Sequence, residues 1–236
     1  MCPVKWSKKI RALRRSKRVK NDPAARAIIF VNGELHAPEA VRPLIGADDY
    51  IIAVNGGTAH ALRLQVVPHV IIGDLDSLDS AEEARVRSER AEIQRFPSRK
   101  DETDLELALR HAIDQDVQEI LLLAAVGGRL DQSFANICLL MLPELQGRDV
   151  KIIEGSQTAF VIRDEATIQG TPGDTVSIVP IGGDAVGVSN AGLEWPLNDA
   201  VLPLGTTHGL SNVMRGEQAT IRVREGMLLC IVIRHG

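Results

Sequence analysis

The sequence predicts an α/β N-terminal domain built on a parallel sheet, followed by a smaller all-β sandwich or barrel domain. Three observations carry that expectation. Short β-branched runs alternate with helix-like stretches between residues 27 and 154, the rhythm of β-α-β units. Near residue 155 the pattern changes to closely spaced strands broken by Gly, Pro and Asn. The chain is 236 residues long and 44% hydrophobic, enough apolar material for one large or two modest cores.

Taken in order, the first region predicts strands at 27–31, 50–54, 70–72, 92–96, 119–125 and 150–154. Helices are predicted between them at 38–45, 58–64, 80–90, 103–115 and 131–142. Strands that read as apolar runs rather than alternations are buried on both faces, as in a parallel, Rossmann-like sheet joined by right-handed crossovers. Beyond Gly155 the strands are predicted at 158–163, 175–180, 186–189, 219–224 and 228–233, with no helix among them. The resulting division is a basic arm (residues 1–26), an α/β unit (27–155) and a β unit (156–236).

Charge and composition exclude several classes. Residues 1–22 hold nine Lys/Arg against Asp22 alone, leaving 18 of the 27 basic and 30 of the 31 acidic residues in the remainder. The body is therefore acidic; the arm reads first as a solvated tail with no specific nucleic-acid partner expected, with contact to nucleic acid, anionic lipid or the acidic body as the other readings. The arm lacks the apolar stretch of a secretory signal. The longest apolar runs, 120–126 and 227–233, fall far short of the roughly 20 residues that span a bilayer. Cys2, Cys138 and Cys230 show neither a metal nor a disulfide spacing, which suits a reducing, cytoplasmic setting, and the last two lie in apolar runs as core residues. The six histidines show no ligand spacing either.

Chemistry gathers where strands end. Val70-Ile-Ile-Gly-Asp-Leu-Asp-Ser-Leu78 runs a buried strand into Gly73 and places Asp74 and Asp76 two residues apart. That edge of an open α/β sheet is where ligands bind, and paired hard oxygens there suit Mg²⁺; an Asp-rich turn with Ser77 as a local partner is the plainer reading. Arg99-Lys-Asp-Glu-Thr-Asp104 opens the next helix. Thr103 can cap it, Asp101 and Asp104 lie at its positive end, and Lys100 can hold anionic oxygens, although capping alone explains half of the segment.

Ala125-Val-Gly-Gly-Arg-Leu-Asp131 repeats the address, with Gly127 and Gly128 allowing close approach of a ligand, Arg129 suited to phosphate and Asp131 to capping or metal ligation. A fourth strand end, Ala53-Val-Asn-Gly-Gly-Thr58, offers Asn55, Gly56 and Gly57 either as an anion cradle or as a plain tight turn. Three Asp-bearing strand ends in one sheet repel one another unless a cation joins them, which is the strongest argument for metal.

In this order the segments resemble the thiamine pyrophosphokinase family over most of residues 27–233. Its Gly-Asp-x-Asp-Ser matches Gly73, Asp74, Asp76 and Ser77; its Lys-Asp-x-Thr-Asp matches Lys100, Asp101, Thr103 and Asp104; its Gly-Gly-Arg-x-Asp matches Gly127, Gly128, Arg129 and Asp131. The second region adds Gly192-Leu-Glu-Trp-Pro-Leu197 and the pair Ser211 and Asn212.

The resemblance implies transfer of pyrophosphate from ATP to thiamine, giving thiamine diphosphate and AMP. It implies Asp74, Asp76 and Asp104 around Mg²⁺, with Asp131 as a further catalytic carboxylate. ATP contacts would come from Asn55, Gly56, Gly57, Ser77, Lys100, Asp101, Thr103, Gly128 and Arg129, and thiamine contacts from Ser211, Asn212 and Trp195, the tryptophan being equally open to a core role. A homodimer with sites near the subunit interface is implied as well. Two positions depart from the family: Asn55, where Asp is common, and Gln132, where His is common. Both lose an ionisable group, which keeps open a pyrophosphokinase of another heterocyclic alcohol, such as a pterin, or a non-catalytic thiamine or nucleotide binder.

Overall fold

The computed structural model describes residues 26–73, 91–96 and 100–235. Six strands form a parallel array: β1 (Arg26–Phe30), β2 (Tyr50–Val54), β3 (Val70–Gly73), β4 (Glu92–Arg95), β5 (Glu119–Leu123) and β6 (Asp149–Glu154), in the order β4-β3-β2-β1-β5-β6. Each strand adds an apolar run whose odd and even residues serve different layers. On β1, Ala27 and Ile29 join Ile52, Val70, Ile72, Ile120 and Leu122 on one face, while Ile28 and Phe30 join Ile51, Ala53, Ile71 and Leu123 on the other. A strand with such a run is stable only when both faces are covered.

Helices supply that cover. The helix α3 (Asp104–Asp114) lays Leu105, Leu107, Ala108, Leu109 and Ala112 on the first face. The short α1 (Pro38–Val41) and α2 (Gly57–Arg63) cover the second with Val41, Ala61 and Leu62. A further helix, α4 (Leu130–Leu139), buries only Asn136. Among the described residues no helix is long and apolar enough to cross a membrane.

Prolines account for two shortened helices. The helix expected over 38–45 is α-helical only to Val41 and continues as a 3₁₀ turn over Arg42–Leu44, because Pro43 has no N–H to return to Glu39. The helix expected to reach Leu142 stops at Leu139, since Pro143 holds Leu142 in an extended conformation. The helix expected over 80–90 lies outside the described residues.

The second region is built from two stacked sheets, one of them continuous with the parallel array. A tight turn at Gly155 (φ 55°) returns the chain as β7 (Gln157–Ile162), antiparallel to β6, and β14 (Leu228–Ile233), β9 (Thr175–Pro180) and β12 (Asn212–Val213) follow outward. The result is one mixed sheet of ten strands. A second, four-stranded sheet, in the order β11-β10-β13-β8, stacks on this extension: β8 (Glu165–Gln169), β10 (Ala185–Ala191), β11 (Ala200–Leu202) and β13 (Gln218–Arg222). Strands β8, β11 and β12 escape a sequence reading because they are short or carry exposed polar residues.

The strand β14 belongs to two cores. Leu228, Cys230 and Val232 face the four-stranded sheet, and Leu229 and Ile231 face the helical layer. Its unbroken apolar run is thus the consequence of burial on both sides. Cys230 is fully buried, and burial pushes its thiol up to about 12, so it acts as a small apolar residue. Cys138, expected in the core, is only half-buried.

Candidate active site

Strand order locates the site before any side chain does. The chain lays β2, β3 and β4 to one side of β1 and then returns to place β5 on the other side. Connections leaving β1 and β5 therefore diverge, and such a reversal opens a crevice beyond the carboxyl ends of the strands. A cleft of about 490 Å³ occupies that position. Its walls are residues 31–34 after β1, Val54 and Asn55 at the end of β2, Lys100 and residues 102–105 entering α3, and Ala125, Gly127, Gly128, Arg129, Gln132 and Asn136 around the start of α4.

The two central loops are laced together. Gly33 N–H donates to the Ala124 carbonyl at 2.8 Å and Glu34 N–H to that of Val126 at 3.0 Å. A Cβ at Gly33 would meet these carbonyl oxygens at 2.5 and 2.4 Å, so only glycine fits. Gly127 and Gly128 follow with φ of 95° and 67°, and a Cβ at Gly127 would lie 2.8 Å from that of Glu34. Ser133 braces the turn, accepting from Gly127 N–H at 3.0 Å and donating to the Arg129 carbonyl at 3.0 Å. The buried Asn136 donates to the Ala125 carbonyl at 2.7 Å.

Opposite them stands Asp104, in the first turn of α3, whose cap is the Thr103 hydroxyl accepting Glu106 N–H at 3.2 Å. Lys100 forms an ion pair with Asp104 Oδ1 and rests 5.3 Å from the centre of the Phe96 ring. Asn55 Nδ2 donates to Asp104 Oδ2 at 2.5 Å. Each carboxylate oxygen has two lone pairs, and one on each remains after these bonds. A partly hydrated hard cation such as Mg²⁺ suits such an acceptor. The expected co-ligands Asp74 and Asp76, with Ser77, follow Gly73 in the chain and lie outside the described residues. Among the described residues no three His, Cys, Asp or Glu side chains are grouped as a metal centre.

Charge on the rim is arranged in pairs. Arg129, largely exposed, bonds Asp131 through Nε at 3.1 Å and Nη2 at 2.5 Å, and this holds the Asp131 carboxyl below its ordinary range. His36 bridges Glu154 and Glu34, the latter at 3.2 Å, and the Glu154 hydrogen bond, reinforced by both negative charges, raises the imidazole pKa.

Of the expected site residues, Asn55, Lys100, Thr103, Asp104, Gly128 and Arg129 meet on the wall of this one cleft. Asp131 adjoins it through Arg129. Asp101 is exposed and off the wall. Gly56 and Gly57 also lie off the wall, and their need for glycine is met by packing: Cβ atoms there would stand 2.1 Å from Asn32 Oδ1 and 2.2 Å from the Phe30 carbonyl.

Trp195, Ser211 and Asn212 are likewise absent from the wall. Trp195 is 58% exposed rather than core. Asn212 accepts Trp195 N–H at 3.0 Å and donates to the Trp195 carbonyl at 2.7 Å, so its amide braces the tryptophan loop. Ser211 sits at φ 58°, with its N–H bonded to the Ser177 hydroxyl. Asn32, Glu34 and Asn136 are wall residues that a sequence reading passes over. The Asn32-Gly33 pair just beyond β1 was the available signal, since it shares the address of the other four strand ends.

Comparison with known proteins agrees across both regions. Residues 41–153 match the model described as thiamin pyrophosphokinase, catalytic domain, and residues 161–228 match thiamin pyrophosphokinase, vitamin B1 binding domain. The chain is 27% identical over 182 residues to a thiamine pyrophosphokinase of Bacillus subtilis (strain 168), covering 76% of this chain and 85% of that one. It is 24% identical over 204 residues to thiamine pyrophosphokinase 2 of Oryza sativa subsp. japonica, covering 80% and 74%. The fold is similar to the crystal structure of thiamine pyrophosphokinase from Bacillus subtilis, with a TM-score of 0.80 at 24% identity, covering 89% of this chain and all of that one. It is also similar to yeast thiamin pyrophosphokinase, with a TM-score of 0.67 at 17% identity over 91% and 87% of the two chains.

Proposed function

The chain belongs to the thiamin pyrophosphokinase family, and from that premise we propose that it transfers a pyrophosphoryl group from ATP to the hydroxyl of thiamine. The thiamine oxygen forms a bond to the β-phosphorus, the bond from that phosphorus to the α-phosphate oxygen breaks, and AMP departs. The observation that carries the reading is the convergence of Lys100, Asp104, Gly128 and Arg129, from different strand ends, on one cleft at the reversal of strand order.

The work of the protein is positioning and charge neutralisation. Lys100, held by Asp104 and Phe96, presents a fixed ammonium to phosphate oxygens. Arg129 can exchange Asp131 for a phosphate across its fork, which the exposure of that pair makes inexpensive. The positive φ of Gly127 and Gly128 opens the turn to close approach by the nucleotide. Asp104, together with Asp74 and Asp76, is the proposed ligand set for Mg²⁺, which would neutralise charge on the transferring group.

Thiamine is assigned to the β region through Trp195, Ser211 and Asn212, with the functional division near residue 155. Because these residues do not line the cleft, the reading includes a homodimer whose partner brings them near it. Exposed apolar side chains on α4 (Leu130, Phe134) and in the β region (Trp195, Leu204, Leu210) are the surface such a pairing would cover. The free Cys138 and Cys230 suit a reducing cytoplasm. Neither a pterin substrate nor a binding-only role is favoured by the comparisons.

The test is incubation of the purified chain with thiamine, ATP and Mg²⁺ and chromatography of all products. Thiamine diphosphate with stoichiometric AMP is expected. Thiamine monophosphate with ADP, or no product from a folded protein, would overturn the assignment.

A further inference from the structure

We propose that Asn55 is a positioning residue that sets the orientation of Asp104 for the divalent cation, using a neutral donor to spare the site one negative charge. The inference rests on the reading of Asp104 as a cation ligand. A carboxylate only accepts, so the Asn55 atom 2.5 Å from Asp104 Oδ2 is the amide N–H rather than its carbonyl. The backbone of Asn55 and the space beside it help to keep that amide in place. Its backbone is in the left-handed region, φ 46°, which asparagine tolerates. Its N–H is bonded to the Ile72 carbonyl at 3.1 Å and its carbonyl to Thr58 N–H at 3.0 Å. Its Oδ1 lies against Gly73, where a Cβ would come within 1.8 Å, so the glycine ending β3 makes room for the amide.

Asp104 is thereby gripped at both oxygens, by Lys100 at one and Asn55 at the other, while a lone pair on each stays available. Partners of this kind fix the direction of a ligand's free lone pairs, and their removal lowers metal affinity by about 10- to 100-fold. An aspartate at position 55 would instead set two carboxylates 2.5 Å apart, a pair that is stable only with a shared proton or a cation between them.

The experiment is titration of the whole chain with Mn²⁺, following free ion by electron paramagnetic resonance, for the native protein, Asn55→Gly, Asn55→Asp and Asp104→Asn, with melting temperature recorded with and without the ion. Asn55→Gly keeps the left-handed backbone and removes only the amide. It is expected to bind Mn²⁺ about tenfold more weakly and to lose kcat with an unchanged KM for thiamine. Asn55→Asp is expected to melt below the native protein without metal and to gain a larger shift from Mn²⁺. Native-like Mn²⁺ affinity in Asn55→Gly, beside weakened binding in Asp104→Asn, would overturn the role of Asn55 alone. Native-like binding in Asp104→Asn would overturn the cation reading and this inference with it. Equal melting temperatures and equal metal shifts in Asn55→Asp and the native chain would overturn the charge argument.

Discussion

Asn55 and Asn212 show how the two halves of the molecule use the same side chain. In the parallel half, Asn55 sits at a cleft wall and gives its amide to another side chain, leaving that carboxylate open to further bonds. In the β half, Asn212 is almost wholly buried and both ends of its amide are bonded to the backbone around Trp195. One polar group prepares a ligand, and the other builds a loop. The difference follows from topology: diverging loops at a strand reversal leave space for ligand, whereas stacked antiparallel sheets leave buried backbone groups that must be paired.

The largest expected effect tests whether the halves are separable at all. Leu229 on β14 packs into the helical-layer core while its neighbour Leu228 packs into the other. Leu229→Ala is expected to cost about 3 kcal/mol, and urea unfolding should remain a single transition because β14 is common to both cores. Two resolved transitions would show that the halves unfold apart.

Next in size, Asn212→Ala leaves the Trp195 and Val213 backbone groups without their partner and should cost roughly 2 kcal/mol in thermal unfolding. It should raise the KM for thiamine and leave Mn²⁺ affinity untouched, the reverse of the pattern expected at Asn55. A loss of Mn²⁺ binding would erase the contrast between the two asparagines.

Arg129→Ala sharpens the comparison on the cleft side. Its ion pair with Asp131 is exposed, so stability should hardly change, yet the KM for ATP should rise about tenfold if the guanidinium meets phosphate. An unchanged KM would remove Arg129 from the nucleotide contacts.

The smallest effect concerns pH, at the opposite edge of the parallel sheet from the cleft. Tyr50 lies beside His69 and His111, its hydroxyl 3.0 Å from His111 Nε2, with Gln94 at the other ring nitrogen. Burial lowers the pKa of both histidines, and for His111 the nearby Glu92 and Asp114 offset this only in part. A base whose folded-state pKa is depressed favours the folded state when neutral. Stability is therefore full above the ordinary histidine value near 6.5 and falls as pH drops below it, because the unfolded chain takes up protons first. Calorimetry from pH 7.5 to 5.5 should show this decline, and His111→Gln should lessen it; an equal slope in the variant would assign the effect elsewhere.

Much of this was readable without coordinates. The run Ala27 to Val31 reads as a buried strand because it opens an alternation of strands and helices, and Gly127-Gly128-Arg129, weak evidence alone, gains weight from the two other Asp-bearing strand ends. The sequence carries the alternation of strands and helices up to β6, the motifs at the strand ends and the family they resemble, because periodicity and turn chemistry act over a few residues. Tertiary contacts alone settle that β7, β9, β12 and β14 extend the first sheet, that Glu34 and Asn136 join the cleft, and that the Asn212 amide braces the backbone around Trp195. Those outcomes depend on strand pairing and contacts between residues far apart in the chain, and no local pattern encodes which distant partner will satisfy a buried polar group.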